Sequence, residues 1–122
     1  MEIKWLDKNN KFGIVTFHKT TITMNVTIMR YFESAYKVRV GINDSNEIVL
    51  SPIDKNIALR NEISESQLFN IETRKSFSRI SNKELAKMIS SYLNVDFSKS
   101  PIKYNALWDD KNNVLIIKER IN

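Results

Sequence analysis

Residues 20–52, TTITMNVTIMRYFESAYKVRVGINDSNEIVLSP, change their hydrophobic period twice within one short stretch. TITM at 21–24 is β-branched and reads as a strand. Asn25 then offers an N-cap, because its side-chain oxygen can accept from a helix-start N–H. Residues 26–35 put Ile28, Met29 and Phe32, with Tyr36 beyond them, on one stripe of a short helix. Residues 37–42 turn to a period of two, with Val38, Val40 and Ile42 on one face and Lys37 and Arg39 on the other. NDSN at 43–46 is a turn, 47–50 is the returning strand, and Pro52 ends it. A strand, a helix and a hairpin with one apolar face each must bury those faces against further structure.

That further structure is legible downstream, in the same order. LFNIE at 68–72 alternates as a strand, TRKS at 73–76 is a basic turn, and 77–80 is a second strand. Ser81 and Glu84 have capping-box spacing, and Leu85, Met88, Ile89, Tyr92 and Leu93 repeat at 3.6 residues. A loop at 95–102 contains Pro101; a strand at 103–108, a turn at 109–113 and a strand at 114–118 follow. The two hairpins align without a gap at an offset of 66, Lys37 matching Lys103 and Asp44 matching Asp110. The helices align at an offset of 57, Asn25 with Asn82 and Phe32 with Ile89. The preceding turns, His18-Lys19-Thr20 and Arg74-Lys75-Ser76, align at 56. Each unit reads strand, basic turn, strand, helix, hairpin. One such unit cannot bury both its helix stripe and its hairpin face, whereas two can pack face to face.

The predicted fold is therefore α+β: two βαββ units with pseudo-two-fold symmetry in a single domain over 1–122. Unit A spans about 11–52, a mixed and acidic connector 53–67, and unit B about 68–118. The connector holds one helical turn near 57–60. Ahead of unit A, Ile3 and Trp5 alternate with Glu2 and Lys4, KNNK at 8–11 is polar, and FGIVTF at 12–17 is a strand, which predicts a hairpin at the N-terminus. With two glycines and two prolines, the turns must be made mostly by Asn, Asp and Ser.

Composition narrows the function. There is no cysteine, which removes disulfides, thiolate metal sites and Cys nucleophiles and fits an intracellular protein. No apolar run approaches the roughly 20 residues of a spanning helix, and MEIKWLDKNN carries no secretory h-region, so a cytoplasmic location away from membranes is expected. The net charge of +5 is divided into two basic blocks. Lys8, Lys11, Lys19, Arg30, Lys37 and Arg39 face only Glu33 within residues 8–40. Arg74, Lys75, Arg79, Lys83, Lys87, Lys99 and Lys103 face only Glu84 and Asp96 within 74–103. Residues 41–73 between them are net acidic. Two basic blocks suit a polyanionic partner, because positive potential concentrates phosphates.

TITMNVTIMRYF, a spacer and KVRVGINDSNEIVLSPI resemble the AbrB/SpoVT/MraZ swapped-hairpin family: a strand ending at a helix cap, a short helix, then strand, acidic turn and strand. The likeness covers residues 20–52, and the second unit only by analogy. It implies antiparallel sheets closed into a barrel-like body with two short helices, the hairpins of two units interlocked. It further implies that basic residues of the strand-turn regions contact DNA, and MraZ-like members carry two units in one chain. The family's basic positions ahead of the first strand fall on His18 and Lys19, repeated at Arg74 and Lys75. Its basic helix residue falls on Arg30, with Lys87 nearby in the second unit. The sequence departs from the pattern with Asn25 where the family has Pro, Ala35-Tyr36 where it has Gly-Asp, and Thr20 or Thr21 where it has Arg.

Enzymatic readings find little to stand on. His18 is the only histidine and has no carboxylates at ligand spacing, so no metal is expected. Asp44, Asp109 and Asp110 sit in hairpin turns, where local hydrogen bonding accounts for them. There is no G-x-S-x-G, no Gly-rich phosphate loop and no nucleophile, base and orienter set, so neither catalysis nor a cofactor is expected. Trp5, Tyr104 and Trp108 alternate in strands and are read as core rather than as base-stacking platforms. The expected function is binding of double-stranded DNA in transcriptional control, with His18, Lys19, Arg74 and Lys75 as phosphate contacts and Arg30, Arg39 and Arg79 as secondary ones. The alternative is a protein-interaction or assembly module, as a homo-oligomer or with another protein, in which the charge serves solubility.

Overall fold

The computed structural model describes Glu2, Ile3, Trp5 and residues 11–122. Its strands are β1 (Phe12–Phe17), β2 (Thr21–Asn25), β3 (Lys37–Ile42), β4 (Ile48–Ile53), β5 (Glu72–Thr73), β6 (Phe77–Ser81), β7 (Ile102–Asp109) and β8 (Val114–Arg120). They form one antiparallel sheet in the order β3-β4-β8-β7-β1-β2-β6-β5. The helices are short: α1 (Val26–Met29), continued by a 3₁₀ turn over Arg30–Phe32, α2 (Lys55–Leu59) and α3 (Lys83–Leu93). The protein is mostly sheet, and the sheet curls. Val38 of β3 donates to the Phe69 carbonyl at 2.9 Å and accepts from the Phe69 N–H at 2.8 Å, while Glu72 and Thr73 pair with Arg79 and Ser78 of β6. Residues 69–73 thus reach from one edge strand to the other end of the sheet.

The alternating patterns bury one face inside the curl. Val15, Phe17, Ile22, Met24, Val38, Leu50, Ile80, Tyr104, Ala106, Trp108, Leu115 and Ile117 form its core with Ile28 and Phe32. Phe17 is stacked on Phe97 at 5.2 Å and meets Tyr104 edge-on at 5.5 Å. Tyr104 and Trp108 are buried as expected, but Trp5 is 80% exposed, so its assignment to the core is wrong. β1 lies between β2 and β7, which occupy both of its hydrogen-bonding sides and leave none for an N-terminal hairpin. Apart from Ile3 and Trp5, the strand expected at 3–7 lies outside the described residues, as does the turn at 8–11 apart from Lys11.

Several local expectations shift by a residue or more. The helix expected at 26–35 is one α-turn plus a 3₁₀ turn; it buries Ile28, Met29 and Phe32, while Tyr36 is exposed. Asn25 stands at the N-cap position without capping, because its side-chain oxygen accepts instead from the Ile14 N–H of β1 at 3.1 Å. Asn82, not Ser81, caps α3, accepting from the Leu85 N–H at 2.9 Å. On β3, Val38 is buried but Ile42 is exposed. β5 is shorter and later than the strand expected at 68–72, of which only Phe69, through a bridge to Val38, and Glu72, as the start of β5, pair with other strands. α2 forms in the connector, slightly ahead of the expected turn, where Asp54 caps it through the Ile57 N–H.

Pro52 does not end β4; it sits opposite Val38 in the ladder. Val38 spends its own N–H and carbonyl on Phe69, so Val38 and Pro52 are a non-hydrogen-bonded pair. The missing proline N–H therefore points away from β3, and β8 pairs only with Val49 and Leu50 there, so no ladder bond is lost. The gapless hairpin alignment also fails by one residue. Ile42 pairs with Ile48, but Trp108 pairs with Leu115 and Asp109 with Val114. Counted from the aligned pair Ile42 and Trp108, the second turn is one residue longer, so the buried counterparts of Ile48 and Leu50 are Leu115 and Ile117; a slip of one would have turned β8 inside out. Asparagine does the turning, as composition required: Asn46, Asn61, Asn94 and Asn113 carry the positive φ angles, and neither glycine does. Among the described residues no helix is long and apolar enough to cross a membrane.

Candidate nucleic-acid interface

The two basic turns close in the same way. His18 N–H donates to the Thr21 carbonyl at 2.8 Å, and Arg74 N–H donates to the Phe77 carbonyl at 2.8 Å. They stand at opposite ends of the β2/β6 ladder, which runs from Thr21↔Ser81 to Asn25↔Phe77. At ~3.3 Å per residue that ladder is about 13 Å long. The turns are therefore two separate stations rather than one cluster.

Around the first turn the basic residues diverge. His18 is half-buried and lines a shallow recess of about 420 Å³ on the outer face, with Thr16, Thr21, Thr23, Ser76, Phe77 and Arg79. Lys19 points the other way, into a cleft shared with Lys83 and Lys87 of α3 and with Asp96, Phe97 and Ser98. The turn is held against α3 by Asn82, whose N–H donates to the Thr20 carbonyl at 3.1 Å.

Around the second turn the charge is largely spent. Glu72 lies 2.7 Å from the Arg74 guanidinium and 3.2 Å from that of Arg79. The Arg79 hydrogen bond, then its charge, holds the Glu72 carboxyl below the usual carboxylate range. Lys75 is exposed. Arg79 is half-buried over the Phe77 ring, and its Nε is buried with no hydrogen-bond partner among the described residues.

The secondary residues lie elsewhere. Arg30 is exposed; its guanidinium sits over Tyr31 and donates to the Tyr31 hydroxyl at 2.8 Å. Tyr31 in turn stacks on Trp108 at 4.5 Å, and Trp108 Nε1 donates to Asp110 at 2.7 Å. Asp110 is also ion-paired with Lys11, and the Lys11 hydrogen bond, then that of Trp108, lowers its pKa. Arg39 is on the outer face of β3, donating to Gln67 at 2.9 Å. The carboxylates read as turn residues behave as such at Asp109, which accepts from the Lys111 N–H at 3.0 Å and from Asn112 Nδ2 at 2.8 Å. In the first hairpin Asn43 has that part, accepting from the Ser45 and Glu47 N–H groups at 3.0 and 2.9 Å.

Of the seven predicted residues, His18 and Arg79 share a recess and Arg74 and Arg79 share a carboxylate; Lys19, Arg30, Arg39 and Lys75 stand apart. The grouping that sequence reading missed is Lys19 with Lys83 and Lys87. Its only one-dimensional signal is the i,i+4 spacing of the two helical lysines. Nothing in the sequence says that residues 18–20 dock on the start of α3. Among the described residues no group of three or more His, Asp or Glu side chains could hold a metal ion. No protein-family model, no curated protein and no solved structure matches this chain.

Proposed function

We propose that the chain is a non-enzymatic double-stranded DNA-binding protein of transcriptional control, built as a single-chain pseudo-dimer of two swapped-hairpin-like βαββ units. The observation that carries this reading is the pair of basic turns with one shared closing hydrogen bond at the two ends of a single ladder. Cationic groups at two stations about 13 Å apart suit phosphates on both sides of a groove. The strand order supports the doubling. With the Val38–Phe69 contact closing the ring, that order is unchanged, read in reverse, when β1–β4 are exchanged with β5–β8. The two ladders joining the halves agree. Thr23 pairs with Arg79, 56 positions on, which is the offset of the turns. Val49 pairs with Ile116, 67 positions on, which is the β4-to-β8 offset once the extra residue of the second turn is allowed for.

Duplex binding followed by fluorescence anisotropy across a salt series tests the reading. Affinity should fall steeply with salt, because phosphate neutralisation releases counterions. Absence of binding to any duplex at low salt sinks it. The interaction-module alternative draws on a groove of about 270 Å³ between β3 and α3, where Ile42, Met88 and Tyr92 are exposed beside Phe69. Sedimentation decides between them in one respect: a folded monomer fits the pseudo-dimer, and an obligate homodimer fits assembly through that groove.

A further inference from the structure

Lys19, Lys83 and Lys87 converge on one cleft of about 210 Å³. Lys83 and Lys87 are one helical turn apart on the same side of α3, and Lys19 is brought to them by the Asn82–Thr20 backbone hydrogen bond. The opposite wall is built on Phe97, which is buried against Phe17. The one carboxylate in the cleft, Asp96, accepts from the Ser98 N–H at 2.8 Å and from its hydroxyl at 2.6 Å, and these bonds, then the charges of Lys99 and Lys19, lower its pKa. Among the described residues none of the three lysines lies within ion-pair distance of a carboxylate. Three lysines around a concave, partly apolar cleft focus positive potential there, and the cleft is roomy enough for a phosphate group.

We propose that this cleft is a phosphate-binding site, and that through it the chain grips the backbone of duplex DNA chiefly from one end of the β2/β6 ladder. The second half of that statement rests on the DNA-binding reading above. The grip is one-sided because Glu72 already holds Arg74 and Arg79, so that among the described residues Lys75 is the cation of the other turn outside an ion pair.

Two measurements on the whole chain test it. In the first, amide NMR spectra are titrated with inorganic pyrophosphate. Shifts concentrated at Lys19, Lys83, Lys87 and Ser98 are expected; shifts spread evenly over the surface, or none, overturn the phosphate site whatever the fate of DNA binding. In the second, duplex affinity is compared between the wild type, a Lys19→Gln/Lys83→Gln/Lys87→Gln variant, its Lys→Arg counterpart and an Arg74→Gln/Lys75→Gln variant. All three lysines are exposed, so the fold should survive their replacement. The triple Gln variant should bind about 30-fold or more weakly and lose about three from the salt slope, with the Arg version close to wild type. The Arg74→Gln/Lys75→Gln variant should stay within about threefold. Equal losses from the two ends overturn the one-sided grip, and an unchanged triple Gln variant removes DNA from the cleft while the DNA reading stands. If the wild type binds no duplex but pyrophosphate still shifts the cleft amides, the DNA reading fails and the phosphate site survives it.

Discussion

The two longer helical segments sit on the sheet in different ways. α1 is pressed onto β1 at Gly13, where a Cβ would come within 2.5 Å of Ile28 Cγ2 and 2.8 Å of the Asn25 side-chain oxygen. α3 is tethered at its ends. Its start is bonded to the β1–β2 turn, and near its far end the Tyr92 hydroxyl donates to the Asn46 carbonyl at 2.8 Å. Between those anchors it leaves the groove beside Phe69 open. The difference is one of side-chain volume under the helix. At Gly13 the strand has no side chain and Ile28 of the four-residue α1 fills the space, whereas Val40 and Phe69 line a groove left between the sheet and the eleven-residue α3. The same contrast appears in the turns: one backbone device, with lysines outside any ion pair among the described residues at one end and a carboxylate shared by Arg74 and Arg79 at the other.

The tight seat should be the less forgiving. Gly13→Val should cost about 3 kcal/mol, since Ile28 is fully buried and has nowhere to go, whereas Met88→Val on the open side of α3 should cost under ~1 kcal/mol. Urea denaturation measures both, and similar values would erase the distinction between the seats.

The two asparagines ahead of the helices extend the comparison at smaller scale. Asn25→Ala leaves the Ile14 N–H of β1 without its acceptor and should cost about 2 kcal/mol. Asn82→Ala removes an ordinary cap and should cost about 1 kcal/mol. The reverse ranking in thermal or urea unfolding would mean that Asn25 does not staple α1 to the sheet.

The hairpin turn that receives Tyr92 is steadied by Glu47 and Lys118, 2.9 Å apart. The Lys118 hydrogen bond, and then that of Asn43, holds the Glu47 carboxyl below its usual value of 4.5. A carboxyl depressed in the folded state adds stability above its unfolded pKa, and that increment is lost as pH falls through the folded value. The stability gap between wild type and Lys118→Met should therefore be up to about 1 kcal/mol at pH 7 and close as pH falls below 4.5 through the lowered folded value. A gap independent of pH would assign the effect to packing of the lysine stem. Smallest of all, Glu72→Gln should release Arg74 and Arg79 and tighten duplex binding about threefold. Weaker binding instead would show that Glu72 positions those arginines rather than occupying them.

Periodicity made much of this molecule readable in advance. Strand β1, β2 and β6, the β3–β4 and β7–β8 hairpins and α3 all fall near where alternation or the 3.6-residue repeat puts them, because each has to bury one face. What misled were residues whose partner is distant. Asn25 has the look of a cap, but the Ile14 N–H on the neighbouring strand competes for the same oxygen. Pro52 has the look of a strand end, and is tolerated because Val38 bonds elsewhere. Trp5 alternates like core, yet β1 already has β2 and β7 on its two sides. The candidate site was less legible still, since charge counts give totals without partners. Arg74 and Arg79 were counted as cations and are held by one glutamate, while Lys83 and Lys87 were counted only as members of a block.

The sequence by itself determined most of the residues that face inward along the strands and helices, with Trp5, Tyr36 and Ile42 among the exceptions, that Asn, Asp and Ser would make most turns, and that basic charge would fall in two blocks. These follow from local period and backbone preference, which need no knowledge of neighbours. Only the tertiary structure decided the order of strands, the one-residue slip between the hairpins and the company each cation keeps. Those depend on contacts between residues far apart in the chain, where hydrogen-bond registry and side-chain volume, rather than local pattern, select the partner.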